Sequence, residues 1–201
     1  MKILRLALCA IVLAWTGNAV AADGHSGTMM SGGGSGGLRP VLELGLYFGG
    51  DDLATVQFVS GTTETIETGG LLDISFGFVK PMAPERELQV TLGYRFDSID
   101  AINGSVDWSR WVLEGKYFFL DGRSRFGAGL TYHMSPDLEI NLAGFLPAVV
   151  SFDNALGLVG EWDYLFLNNS YLGVKYTLID YEVGGVSANG NSLGIVYGFR
   201  F

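Results

Sequence analysis

His133 and Ser135, two residues apart, are the pair whose types suggest covalent chemistry. A histidine in hydrogen-bond reach of a serine can take its proton and turn the oxygen on an acyl ester. A second group is larger. Glu43, Asp73, Asp97, Glu114, Glu161 and Asp163 stand with Arg95, Arg110, Lys116, Arg125, Lys175 and Arg200 on the polar faces of alternating segments. Six acids and six bases can neutralise one another, which makes a charge network. Metal chemistry has little support. His25, Met29 and Met30 would make only a weak metal-binding tail, no acidic loop has EF-hand spacing, and no cofactor is expected.

The segments that carry these charges read as strands. After Gly37 no span holds 18 apolar residues in a row, so no membrane helix is expected. Instead eight stretches of roughly ten residues alternate apolar and polar, the length a tilted membrane strand needs. They are Arg39 to Gly49, Gly70 to Lys80, Glu87 to Asp97, Asp107 to Phe119, Arg125 to Ser135, Phe152 to Leu165, Tyr171 to Tyr181, and a closing stretch that ends at Phe201. In the third, Leu88, Val90, Leu92, Tyr94 and Phe96 oppose Gln89, Thr91, Gly93, Arg95 and Asp97. This parity aims His133 to the polar side. The polar faces are also rich in glycine, which leaves room for long charged side chains in a narrow interior.

Connections alternate in length. Pro81 to Arg86, Asp121 to Ser124 and Phe166 to Ser170 are short; Asp51 to Thr68, Ser98 to Val106, Pro136 to Ser151 and Glu182 to Asn191 are longer. Short periplasmic turns and longer outside loops are the pattern of outer-membrane barrels. The apolar faces would then meet lipid and the charges would fill the lumen. Sliding every strand by one residue would turn the bases to lipid, at a cost on the order of ten kcal/mol. Trp108, Trp111, Trp162, Tyr132, Tyr164, Tyr94, Tyr197 and Phe201 are expected in the interfacial girdles. The stretch Leu142 to Val150 is apolar: it would dip into the outer leaflet, fold over the mouth or lengthen the sixth strand.

The ends of the chain say where it goes. Met1 to Ala22 reads as a secretory signal peptide, with Lys2 and Arg5, an apolar run from Leu6 to Trp15, and small residues Ala19 to Ala21 for cleavage. Residues 23–37 are Gly/Ser-rich and read as a flexible segment, and 38–201 as the barrel. Cys9, the only cysteine, lies in the leader, so no disulfide is expected. Of 12 Lys and Arg, two lie in the leader, leaving 10 against 21 acids and a net charge of −11. That argues against a nucleic-acid partner. The longer loops hold Asp51, Asp52, Glu64, Glu67, Asp100, Asp137, Glu139 and Glu182 and no Lys or Arg, so the outside rim is expected to be acidic and solvated.

In the closing stretch Leu193, Ile195, Tyr197, Phe199 and Phe201 share one face and Gly194, Val196, Gly198 and Arg200 the other. Ser192, Gly194, Tyr197, Phe199 and the terminal Phe201 resemble the closing-strand signal of bacterial outer-membrane β-barrels. The resemblance is to the small eight-stranded family of the OmpA/OmpX type. It implies an all-β fold, an eight-stranded antiparallel up-and-down transmembrane β-barrel in the bacterial outer membrane. It also implies the barrel-assembly machinery as a partner, with outer-membrane lipid and lipopolysaccharide around the wall. The expected function is non-enzymatic: envelope integrity, or surface interaction through the acidic loops with an unknown extracellular ligand. Two alternatives stand beside it. One is a narrow OmpW-like channel for small molecules. The other is a lipid A-modifying hydrolase, because His133 and Ser135 resemble the His-x-Ser of outer-membrane deacylases. That family follows the serine with Asn and places its acid well downstream, whereas here Pro136, Asp137 and Glu139 follow at once.

Overall fold

The computed structural model describes residues 37–57, 62–101 and 104–201. The signal peptide, nearly all of the Gly/Ser-rich segment and the His25, Met29, Met30 tail lie outside the described residues.

Eight strands close on themselves. They are β1 (Arg39–Phe48), β4 (Leu72–Ala83), β5 (Arg86–Ala101), β6 (Gly104–Asp121), β7 (Ser124–Leu142), β9 (Ala155–Leu165), β10 (Ser170–Leu178) and β13 (Ser192–Arg200). Each pairs antiparallel with the next, and β13 pairs with β1 from Val41↔Arg200 to Phe48↔Leu193. Closure leaves neither end strand with an unpaired edge. All eight segments read from the sequence are barrel strands. Among the described residues five shorter strands decorate the end opposite Arg39 and Arg200. β2 (Asp52–Gln57) pairs with β3 (Thr63–Glu67), β11 (Asp180–Val183) with β12 (Val186–Asn189), and β8 (Ala148–Ser151) with the top of β7.

Alternation decides the two faces. In β9 burial switches at every residue from Ala155 to Tyr164, because successive side chains point to opposite sides of the sheet. Leu156, Leu158, Trp162 and Tyr164 are exposed on the outer wall, as are Phe76 and Phe78 of β4 and Leu193 and Ile195 of β13. A wall of this kind is stable only where lipid covers it. Tyr94 and Trp111 stack edge-on across β5 and β6, and Phe199 on Phe201 along β13, their ring centres 5.2 and 5.0 Å apart. Tyr132 and Tyr197 are half-buried on the outward parity.

Two expectations are corrected. Trp108 is not a girdle residue: it is completely buried on the inward parity of β6, two residues from Arg110. All four long loops are largely strand, and in two of them barrel strands run on beyond the wall. Ser98 pairs with Asp107 and Asp100 with Ser105, so β5 and β6 run on to a tight turn. Likewise β7 continues to Leu142 and returns through β8, so the apolar stretch 142–150 tips a projecting hairpin and its Ala148–Val150 part pairs with β7 on the segment that leads into β9, the sixth barrel strand. Backbone amides leaving the membrane find cross-strand partners more readily than 16 irregular residues would.

β7 carries one irregularity. Its register with β6 shifts between the pairs Trp111↔Met134 and Ser109↔Asp137, and Ser135 takes φ +46°. The extra residue reverses parity. Below it the odd residues Arg125, Thr131 and His133 are buried; above it Pro136 and Leu138 are.

Candidate functional site

Inward side chains of all eight strands meet in the lumen, and the charges sort into levels. In the middle, Lys116 and Lys175 lie among Glu43, Glu114 and Glu161. Lys116 Nζ is 2.6 Å from Glu161, 3.1 Å from Glu114 and 3.4 Å from Glu43. Lys175 Nζ is 2.8 Å from Glu114, 3.4 Å from Glu161 and 3.6 Å from Glu43. Glu43 also accepts from Gln89 Nε2 at 2.6 Å and from the Tyr171 hydroxyl at 2.5 Å.

Toward the end that holds Arg39 and Arg200, Arg125 Nε donates to Asp163 at 2.8 Å and Nη1 to Gln89 at 3.0 Å. Its guanidinium lies between the Phe118 and Tyr171 rings, 3.9 and 4.4 Å from their centres. Glu87 links Arg125, at 3.6 Å, to Arg200, at 3.2 Å. Toward the opposite end Arg95 Nε meets Asp73 at 3.4 Å and its guanidinium stacks 3.5 Å from the Tyr47 ring centre. Glycine admits these rings. A Cβ on Gly45 or Gly194 would collide with Tyr47, and one on Gly198 with Tyr171.

Ten of the twelve residues assigned to the network from sequence are joined in these levels; Arg110 is buried above them, and Asp97, higher on β5, is half-buried. Glu87, Gln89, Tyr47, Tyr171 and Phe118 complete it. Only parity could have marked them: each falls on the inward register of a strand whose charged members were recognised. A buried ion pair offsets desolvation only when its remaining atoms are also bonded, so this layer specifies register more than it adds stability. It is also dense. Glu43, Lys116, Arg125, Asp163 and Lys175 are each at most 1% exposed, which leaves water no room beside them.

Above the charges sits an apolar cap. Ile66, Ile99, Val106, Trp108, Leu138, Phe152, Ala155, Ile179 and Tyr181 form one buried cluster drawn from the barrel tops and the extra hairpins. Hydrogen bonds latch the hairpins to the wall. Trp108 Nε1 donates to the Thr68 carbonyl at 3.0 Å, Arg110 Nη2 to the Gly69 carbonyl at 2.5 Å, and Thr68 Oγ1 to the Asn189 carbonyl at 2.5 Å. Gly49, at φ +107°, donates its N–H to Glu67 at 2.5 Å. Burial raises the Tyr181 phenol above its ordinary pKa, with the Arg110 cation opposing.

His133 belongs to this latch, not to a dyad with Ser135. Arg110 Nε donates to His133 Nδ1 at 3.2 Å, and Tyr181 Oη is 2.5 Å from the same nitrogen. A guanidinium can only donate, so Nδ1 is an acceptor and the ring proton sits on Nε2. Neither nitrogen is then free to take a serine proton. Alternation would have put Ser135 on the same face, but the bulge turns it outward, exposed, with its N–H on Asn154 Oδ1 at 2.9 Å. Among the described residues no group of three or more His, Cys, Asp or Glu is placed to hold a metal ion.

No family model and no curated protein matches the chain. Solved structures do. Ail, the attachment invasion locus protein of Yersinia pestis, in complex with the heparin analogue sucrose octasulfate, superposes with TM-score 0.56 at 7% identity, over 82% of this chain and 97% of Ail. A second structure of Ail gives 0.55 at 8%. The chain has the fold of the small eight-stranded outer-membrane barrels. Neisserial surface protein A also aligns, with TM-score 0.49 and 14% identity over 83% of this chain and 97% of that one. At such identities the likeness extends to the fold and no further.

Proposed function

We propose that this protein is a non-enzymatic barrel of the bacterial outer membrane that acts through its extracellular end, in surface interaction or envelope integrity. The observation that carries this reading is the filled interior. Charged side chains with almost no exposed surface cross the lumen, and an apolar cap covers them. What faces outward is the rim: the β2–β3 and β11–β12 hairpins, the β5–β6 turn and the projecting β7–β8 hairpin. Phe145 and Leu146 tip that last hairpin at 76% and 91% exposure.

Outer-membrane lipid and lipopolysaccharide are the surroundings this reading requires. Ser192, Gly194, Tyr197, Phe199 and Phe201 are its assembly signal, read by the barrel-assembly machinery. The rim has no Lys or Arg, so it does not suit a polysulfated ligand of the kind seen with Ail. Planar-bilayer recording on the refolded, heat-modifiable protein tests the reading: conductance near the bilayer baseline is expected, and steady unitary currents would overturn it.

A further inference from the structure

The β7–β8 hairpin ends in apolar side chains that nothing in the chain covers. Phe145, Leu146 and Val149 are exposed at and beside its turn. The hairpin is not a loose loop. β6 pairs with β7 as far as Gly104↔Leu142, and β8 pairs on the other side from Asp137↔Ser151 to Ile140↔Ala148. The upper ends of β5, β6, β7 and β8 therefore form one sheet that stands beyond the wall. The membrane around the barrel does not reach its tip. Leu142 is eight residues past Met134, the last outward position below the bulge, or roughly 25 Å along the strand.

One face of this sheet is closed by the cap, through Val106, Trp108 and Leu138. The other face is open, and its charges have one sign. Asp107 lies directly opposite Glu139, Asp137 follows on the same side of β7, and Asp100 faces Ser105. Glu139 is in turn opposite Val149, so the acids run into the apolar tip without a break. No Lys or Arg stands on the outward parity of these segments. Like charges directly opposed weaken a sheet. Asp107 accepts from the Ser98 and Ser105 hydroxyls at 2.5 and 3.2 Å, which are neutral donors.

The two features together select the occupant. The tip alone would suit a bilayer, but its three side chains amount to no more than one acyl anchor, and one anchor holds a protein only marginally. Lipid phosphates would also meet the acids with like charge. We propose that this sheet docks a cationic amphipathic peptide, its basic side chains on the acidic face and its apolar side chains against Phe145, Leu146 and Val149. This rests on the reading of the outer end as the working surface and names the class of its partner. Strands ~4.8 Å apart place Asp100, Asp107 and Glu139 within about 10 Å of one another. Basic residues at i and i+4 of a helix, ~6 Å apart, match that span.

The test is fluorescence anisotropy of a labelled leucine–lysine peptide patterned at helical spacing. It is titrated with the protein in phosphatidylcholine nanodiscs, and with empty nanodiscs for the baseline. Saturable binding above that baseline is expected, weakened by added salt. Oligolysine of equal charge and a leucine–glutamate peptide of the same pattern should bind at least about tenfold more weakly. Phe145→Ser combined with Leu146→Ser should weaken binding about tenfold and Glu139→Gln about threefold. Asp121→Asn, exposed at the opposite end, should change nothing. Oligolysine binding as well as the amphipathic peptide, or full binding by the tip variant, would reduce the face to unspecific charge and overturn the proposal. Adhesion of the protein-bearing nanodiscs to peptide-free phosphatidylcholine vesicles, lost in the tip variant, would overturn it too by assigning the hairpin to a bilayer. Heat-modifiable mobility of each variant shows that the barrel is folded. Steady unitary currents in the bilayer recording would refute the functional reading, whereas baseline conductance without peptide binding refutes this inference alone.

Discussion

The mid-lumen cluster allows a quantitative test of whether charge balance holds the interior together. Lys116 and Lys175 face Glu43, Glu114 and Glu161, and each lysine lies within 3.6 Å of all three acids. Lys116→Met keeps the length of the side chain and removes the cation. Three buried carboxylates then share Lys175 alone, and the strongest contact, 2.6 Å to Glu161, is lost. Stranding a buried charge in this way costs about 3–5 kcal/mol. Adding Glu161→Gln returns the cluster to one lysine and two glutamates, the original net charge. The double variant should recover much of the loss, with a coupling energy of about 0.5–3 kcal/mol. The assay is urea unfolding from lipid vesicles, followed by tryptophan fluorescence. A Lys116→Met loss below about 1 kcal/mol, or a double variant whose loss equals the sum of the singles, would refute the argument, because the interior would then be solvated enough to tolerate an unpaired carboxylate.

Trp108→Ala removes the centre of the cap and its bond to Thr68; it should cost about 3–5 kcal/mol and speed limited proteolysis within 52–67. Ser135→Gly relieves the left-handed backbone at the bulge and should raise stability by about 1 kcal/mol, read in the same urea assay. His133→Ala and Ser135→Ala should leave lipid A unchanged by mass spectrometry of cells carrying each variant; loss of a deacylated species in either would restore the hydrolase reading. Deleting Phe201 should lower outer-membrane levels more than it lowers the stability of barrel already folded. Normal membrane levels of that truncation would count against the assembly signal.

Strand number, inward and outward faces and closure were legible in the sequence. The reason is that a membrane wall permits one parity only: an Arg95 or Lys116 turned outward would meet hydrocarbon, so every strand advertises its register in alternating charge. The inward parity of the charged residues was readable for the same cause. Periodicity carries no information about partners, however. That Lys116 touches Glu161 from β9 and Arg200 touches Glu87 from β5 follows from barrel stagger, which couples residues 45 and 113 positions apart. Trp108 was misplaced because tryptophan suits an interface and a core equally; only the hairpins folded over the mouth decide for the core. One extra residue near Ser135 reversed the parity of β7, separating two side chains that spacing alone would pair. A bulge of this kind is set by competition among neighbouring strands for hydrogen bonds, which only the closed sheet resolves.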